Sequence, residues 1–110
     1  MKVSVIITNH NGLPWLPRAI RSALHQEGIK REDYEIIVVD DGSTDNSKIA
    51  IDAFTEQAGG KSILTALYIK KNEGLASAIN KGIINSEGMY IARLDSDDYY
   101  RPLFLAIMTE

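Results

Sequence analysis

A chain of 110 residues with 45% apolar side chains is long enough for one domain with its own core, and the absence of cysteine excludes disulfides and thiolate metal sites. A formal charge of −3 supplies no basic face to displace counterions, so no nucleic-acid partner is expected. No apolar run is long enough to cross a bilayer, and Met1-Lys2-Val3-Ser4 leads straight into strand-like sequence without a signal peptide's layout.

Val3-Ser4-Val5-Ile6-Ile7-Thr8 is β-branched and nearly all apolar, which predicts a strand buried on both faces of a parallel sheet. Asn9-His10-Asn11-Gly12 is a polar turn. Pro14 is expected to open a helix with Leu16, Ala19, Ile20, Ala23 and Leu24 inward, Arg18 and Arg21 on the wet side, Pro17 tolerated in the first turn and Gly28 as the stop. A second strand, Glu35-Ile36-Ile37-Val38-Val39-Asp40, runs into Asp41-Gly42-Ser43-Thr44-Asp45-Asn46-Ser47. There Gly42 permits a tight turn, and Ser43 or Thr44 can cap a helix carrying Ile49, Ala50, Ala53 and Phe54. Ala58-Gly59-Gly60-Lys61-Ser62 is a connection, and Ile63 to Ile69 a third strand. After Lys70-Lys71-Asn72-Glu73-Gly74 a third helix places Leu75, Ala78, Ile79, Gly82 and Ile83 on one side, small enough in part to lie close to the sheet. Ser86-Glu87-Gly88 closes it, Met89 to Leu94 forms the last strand, and Arg101-Pro102 through Met108 a short helix. The βαβαβαβ series predicts an α/β fold of three layers, α/β/α, with a mostly parallel sheet and right-handed crossovers.

The chemistry gathers at the strand ends. Leu94-Asp95-Ser96-Asp97-Asp98-Tyr99 sets three carboxylates within four residues where a buried strand runs out, and such a cluster needs either water or a cation. Loops at the carboxyl ends of strands form the ligand crevice of open α/β sheets, and an Asp-x-Asp there suits Mg²⁺ or Mn²⁺, which keep water and substrate phosphates as further ligands. A metal-assisted phosphate or diphosphate site follows, its rim drawn from Thr8 to Asn11, Asp40 to Ser43, Asn72, and Asp95 to Asp98. Blander readings stand beside it. The acidic cluster alone is equally a solvated turn that caps a helix, Asp40 and Asp41 can cap their own helix, and Lys70-Lys71 can be a solvated strand end. Trp15, Tyr99 and Tyr100 are expected to anchor loops against the core; His10 suits a turn, and His25 is assigned no role. Gly74 and Gly82 make no dinucleotide fingerprint, and no Walker lysine motif is present.

Five blocks in order, Val3 to Thr8 with Asn11, Ile37 to Asp45, Asn72-Glu73-Gly74, Asn80-Lys81-Gly82 and Leu94 to Asp98, resemble the family 2 glycosyltransferases with the GT-A fold over almost the whole chain. The resemblance implies transfer of a sugar, with inversion, from a nucleotide-sugar donor, most often a UDP-sugar, to an acceptor saccharide or lipid-linked saccharide, with Mn²⁺ or Mg²⁺ as cofactor. By position it places Thr8 and His10 beside the uracil, a carboxylate of Asp40 or preferably Asp41 on the uracil N3–H, Asp95 toward the ribose, and Asp97 with Asp95 on the metal, with Ser96 among the nucleotide-binding residues. Asn11, Asn72 and Lys81 complete its nucleotide-binding set.

Ile79 stands where the family commonly has an arginine near the phosphates; Lys81 or Lys70-Lys71 would substitute with less geometric control. Relatives continue well past Asp98 with the acceptor pocket and the catalytic base, so no catalytic residue is assigned within the chain and the base is expected beyond Glu110. Residues 1–110 are therefore expected to be the nucleotide-sugar-binding half of a transferase, inactive alone, self-associating through its truncated edge, and cytoplasmic or at the cytoplasmic face of a membrane. Two rivals remain: a non-catalytic nucleotide-binding fragment, and an Asp-dependent phosphohydrolase of the haloacid dehalogenase type. The latter would carry its Asp-x-Asp after the first strand, where Thr8-Asn9-His10-Asn11 stands.

Overall fold

The computed structural model describes residues 1–57 and 63–110; the predicted connection at 58–62 lies outside them. Four strands, β1 (Val3–Asn9), β2 (Tyr34–Asp41), β3 (Leu64–Ile69) and β4 (Tyr90–Asp95), form one sheet in the order β3-β2-β1-β4, every pairing parallel. The helices are α1 (Leu16–Leu24), α2 (Ser47–Gln57), α3 (Leu75–Ile84) and α4 (Phe104–Met108).

The two central strands are buried almost throughout, as their unbroken apolar runs require. Alternation divides them between two cores. Val3, Val5, Ile7, Ile36 and Val38 pack with Leu16, Ala19, Ile20 and Ala23 of α1, Ile51 of α2 and Leu105 of α4. On the opposite face Ile6, Ile37 and Val39 meet Ala78 of α3. Gly82 brings that helix close, since a β-carbon there would lie 2.6 Å from Ile6 Cγ2.

Several expectations change. The first helix begins at Leu16 rather than Pro14, because Trp15 N–H and Leu16 N–H both close on the Gly12 carbonyl (3.0 and 2.9 Å) and make residues 12–15 a turn. Pro17 sits in the first helical turn, where its missing N–H is no loss. The first helix ends at Leu24 with His25 as its cap, four residues ahead of Gly28. In α2 the buried apolar residue is Ile51, whereas Ile49 is 68% exposed and Ala53 is also exposed. In α3 only Ala78 and Gly82 are buried; Leu75 and Ile83 are exposed because, among the described residues, a single helix covers this face of the sheet and lies over β1 and β2. Strand β4 is left as an edge, with Met89, Tyr90, Ile84 and Ile83 exposed around it. Trp15 and Tyr99 are half exposed rather than seated in the core, while Tyr100 packs against it and stacks on Phe104 at 4.1 Å. No helix of the described residues is long and apolar enough to cross a membrane.

Candidate functional site

The chain runs β1 to β2 to β3 on one side and then returns to β4 on the other side of β1, so the strand order reverses between β1 and β4. In open α/β sheets this is where ligands bind, beyond the carboxyl ends of the strands. A cleft of about 260 Å³ lies there, walled by Thr8, Asn9, His10, Asp41, Asn72, Gly74, Leu75, Ala78, Asp95, Ser96 and Asp97.

Strand parity explains its composition. Thr8 shares the α3 face with Ile6, Asp41 shares it with Val39, and Asp95 is the register partner of Thr8. Asn9 and its register partner Asp40 point to the other face. Neighbouring aspartates thus take different surroundings. Asp40 is buried and accepts from Asn9 Nδ2 (2.9 Å), Ser43 Oγ (2.7 Å) and Ser43 N–H (3.3 Å), which satisfies a charge removed from water. Asp41 closes the base of the cleft instead. Its Oδ1 accepts the Glu73 N–H (2.8 Å), and its Oδ2 accepts the Gly74 N–H (3.0 Å) and Asn72 Nδ2 (3.1 Å). These are the amides that lead into α3, where a negative charge is favoured by the helix dipole. Three donors on a carboxylate with about four lone-pair sites leave room for one more.

His10 is fixed by the backbone of the same aspartate: its Nδ1 lies 2.7 Å from the Asp41 carbonyl, which can only accept, so Nδ1 carries the proton. Nε2 then faces the Asn11 amide at 3.5 Å. On the opposite wall Thr8 Oγ1 donates to Asp95 Oδ1 (3.3 Å), and Arg93 Nη2 lies 3.7 Å from the same oxygen. The Ser96 N–H donates to the Thr8 carbonyl (3.1 Å) and the Asp98 N–H to the Asp95 carbonyl (2.9 Å), which curls Asp95-Ser96-Asp97 over the end of β1.

Of the residues singled out from sequence, Thr8, His10, Asp41, Asn72, Asp95, Ser96 and Asp97 meet in the cleft. Three do not. Asp40 lies in the network just described. Asn11, in the left-handed region at φ 54°, spends its Oδ1 on the Thr44 N–H (2.7 Å) and Asp45 N–H (3.1 Å), holding the loop before α2. Lys81 stands 3.7 Å from Glu73 in a separate hollow with Tyr68, Lys70 and Asn85. Glu110, the residue past which the base is expected, is exposed, follows α4 and is not among the residues that line the cleft. Asn9, expected on the rim but given no role, lines the cleft as well, and Leu75 and Ala78 line it without having been singled out as site residues. Period-2 counting from Asp41 to Val39 and Ile37 carries the signal that separates Asp41 from Asp40, once the side of the sheet that carries α3 is known.

Asp41, Asp95 and Asp97 make the cleft acidic, and among the described residues no Lys or Arg lines it. Nor does any group of three His, Cys, Asp or Glu among them come close enough to hold a metal alone. Two hard carboxylates, Asp95 and Asp97, fit a Mg²⁺ or Mn²⁺ that takes its remaining ligands from substrate oxygens and water.

Known proteins share this fold. Residues 4–110 match the model of Glycosyl transferase family 2. An uncharacterized glycosyltransferase of Nostoc sp. is 43% identical over 102 residues, covering 93% of this chain and 30% of the relative. The structure of S. aureus TarS 1-349 in complex with UDP superposes with a TM-score of 0.86 at 27% identity, over 98% of this chain and 31% of that one. The mannosyltransferase PcManGT from Pyrobaculum calidifontis, in complex with GDP-Man and Mn²⁺, superposes at 0.82 with 25% identity, over 90% of this chain and 28% of that one. The chain therefore spans roughly 30% of the length of these relatives. The GT-A-like fold with a parallel sheet is the one expected from the five sequence blocks, and the structure adds its strand order, 3-2-1-4. With nearly its full length matched, this chain belongs to glycosyl transferase family 2.

Proposed function

We propose that this chain is the donor-binding part of an inverting, metal-dependent glycosyltransferase that takes a UDP-sugar and delivers the sugar to a hydroxyl of a saccharide or lipid-linked saccharide. The observation that carries this reading is the charge of the cleft: three carboxylates and, among the described residues, no lining cation. A diphosphate enters such a space only with a dication to offset both partners. When bound, Mn²⁺ or Mg²⁺ supplies a positive charge against which the departing diphosphate accumulates its negative charge. Asp95 and Asp97 are the residues that would hold it.

The nucleoside falls to the other wall. The remaining acceptor position of Asp41 suits the N3–H of uracil, and the His10 ring offers a face for the base. Thr8 and Ser96 line the space between these groups and the acidic turn. Inversion requires one displacement, with the acceptor hydroxyl deprotonated on the face opposite the diphosphate. Asp41 is engaged by three donors, and Asp95 and Asp97 serve the cation, so we assign the base to a group outside this cleft, beyond Glu110.

Calorimetric titration tests the reading. UDP should bind with Mn²⁺ and weaken at least about tenfold in EDTA, a difference of about 1.4 kcal/mol. GDP in place of UDP should bind more weakly, because the reading gives Asp41 a single free acceptor position. Metal-independent UDP binding would favour a non-catalytic nucleotide module, and turnover of a simple phosphate ester would favour a hydrolase. Equal affinity for GDP would remove uracil from the proposal and leave the rest.

A further inference from the structure

Helix α1 carries a second stripe beside its buried one. Arg18 and Ser22, four apart and therefore on one face of the helix, and Gln26, just past its end, all direct their side chains at the backbone that follows β4. Arg18 Nη2 donates to the Asp97 carbonyl (3.2 Å), Ser22 Oγ accepts the Tyr100 N–H (3.0 Å), and Gln26 both donates to the Arg101 carbonyl (2.8 Å) and accepts the Leu105 N–H (2.8 Å). The lower two rungs fix the chain from Tyr100 onward. Upstream, pairing within the sheet ends at Asp95, and the Ser96 N–H is held by Thr8. Between those anchors, the Asp97 carbonyl is held by Arg18.

Arg18 is placed against local preference. It stands in the first turn of α1, where the helix dipole disfavours a cation, and no acidic residue shares that turn. Among the described residues it makes no ion pair; its guanidinium instead lies over the face of Tyr99, 4.5 Å from the ring centre. The charge is thus directed at a peptide carbonyl and an aromatic face, leaving the Asp97 carboxylate free to face the cleft. We propose that Arg18, clamped between the Asp97 carbonyl and Tyr99, is a positioning residue that holds the Asp95–Asp97 turn in the shape that meets a dication and a diphosphate. The inference rests on the reading of Asp95 and Asp97 as cation ligands.

Two readouts on the 110-residue chain test it: amide hydrogen exchange across residues 96–100, and calorimetric UDP affinity with and without Mn²⁺. Arg18→Ala should speed exchange at Asp97, Asp98 and Tyr99 and leave the amides of β1 and β2 unchanged. It should weaken UDP binding about tenfold in Mn²⁺, the scale of one charge-assisted hydrogen bond, and less than about twofold in EDTA. Tyr99→Ala should follow it. Arg18→Lys, which keeps a donor but loses the planar stack, should fall between Arg18→Ala and the parent chain. Arg21→Ala, on the same helix and away from the turn, is the control and should match the parent. Metal-dependent UDP binding in the parent that Arg18→Ala leaves intact overturns this inference alone, as does unchanged exchange over 96–100. Loss of metal dependence in the parent itself overturns the donor reading and this inference with it.

Discussion

Two strand ends carry acidic clusters, and they are built in opposite ways. At the tip of β2, Asp40 and Asp41 together accept six hydrogen bonds from Asn9, Ser43, Asn72, Glu73 and Gly74, so five residues from the end of β1 and two loops close on two carboxylates. At the tip of β4, Asp95 receives one hydroxyl and a long approach from Arg93, while Asp97 is held through its carbonyl alone. The first tip is a joint that fixes β1, β2 and the start of α3; the second leaves its carboxylates open to the cleft. Identical residue types therefore divide structure from chemistry according to how many protein donors already surround them.

Breaking the joint should give the largest effect. Gly42 has φ +66°, and a β-carbon there would lie 2.3 Å from the Asn72 nitrogen and 2.6 Å from the Lys71 carbonyl carbon. Both are backbone atoms, so no side-chain rotation relieves the clash. Gly42→Ala should destabilise the fold by about 3 kcal/mol, from positive-φ strain and displaced backbone together. Because the displaced segment carries Asn72, Glu73 and Gly74, UDP affinity should fall with stability. Urea unfolding of the two chains measures the first, and an unchanged midpoint would show that the tip is looser than drawn.

Asp41→Ala should come next. It strips the acceptor from the Glu73 and Gly74 N–H groups and the Asn72 amide, and since the cleft admits water to replace part of the loss, about 2 kcal/mol is expected. The same variant should lower UDP affinity by about tenfold, the worth of one hydrogen bond to a charged acceptor. Asp97→Asn sharpens the contrast from the other side. Its carboxylate lines the cleft and makes no hydrogen bond or ion pair among the described residues, so stability should change by less than about 0.5 kcal/mol while the Mn²⁺-dependent part of UDP binding disappears. A variant that loses stability like Asp41→Ala, or keeps its metal dependence, would erase the distinction between the two tips.

The sequence makes the joint and the open pair equally visible but does not tell them apart. Unbroken β-branched runs identify β1 and β2 because only a doubly covered parallel strand buries every position. The turn residues that follow them point to a rim. What a linear pattern omits is which face each residue takes relative to a helix not yet placed. By pattern alone, without the resemblance that favours Asp41, Asp40 and Asp41 look interchangeable until α3 is set on the side of Val39, and Leu75 and Ile83 look buried until that helix is found, among the described residues, alone on its face. Arg18 reads as a solvated cation because its partners are a carbonyl 79 residues away and the ring of Tyr99. Its spacing from Ser22 and Gln26, and a cation at the wrong end of a helix, are the traces it leaves in the sequence.

The smallest effect lies where the joint meets α2. Asp45 Oδ1 accepts both the Ser47 hydroxyl (2.5 Å) and the Ser47 N–H (3.0 Å), and Oδ2 accepts the Leu13 N–H (3.2 Å). Desolvation, the largest single influence on this carboxyl, raises its pKa, but the hydrogen bonds from Ser47, Leu13 and its own backbone N–H together outweigh it and hold the pKa below the ordinary 3.8. A carboxylate whose folded pKa lies below its unfolded one binds fewer protons when folded. Its stabilising contribution is complete above about pH 4 and fades as pH falls through the folded value. Asp45→Asn keeps an oxygen acceptor at the start of α2 but cannot titrate, so its thermal midpoint should fall less steeply below pH 4 than that of the parent chain. Parallel curves would mean that α2 takes its hold on the loop from the Asn11 contacts to Thr44 and Asp45 rather than from the Asp45 charge.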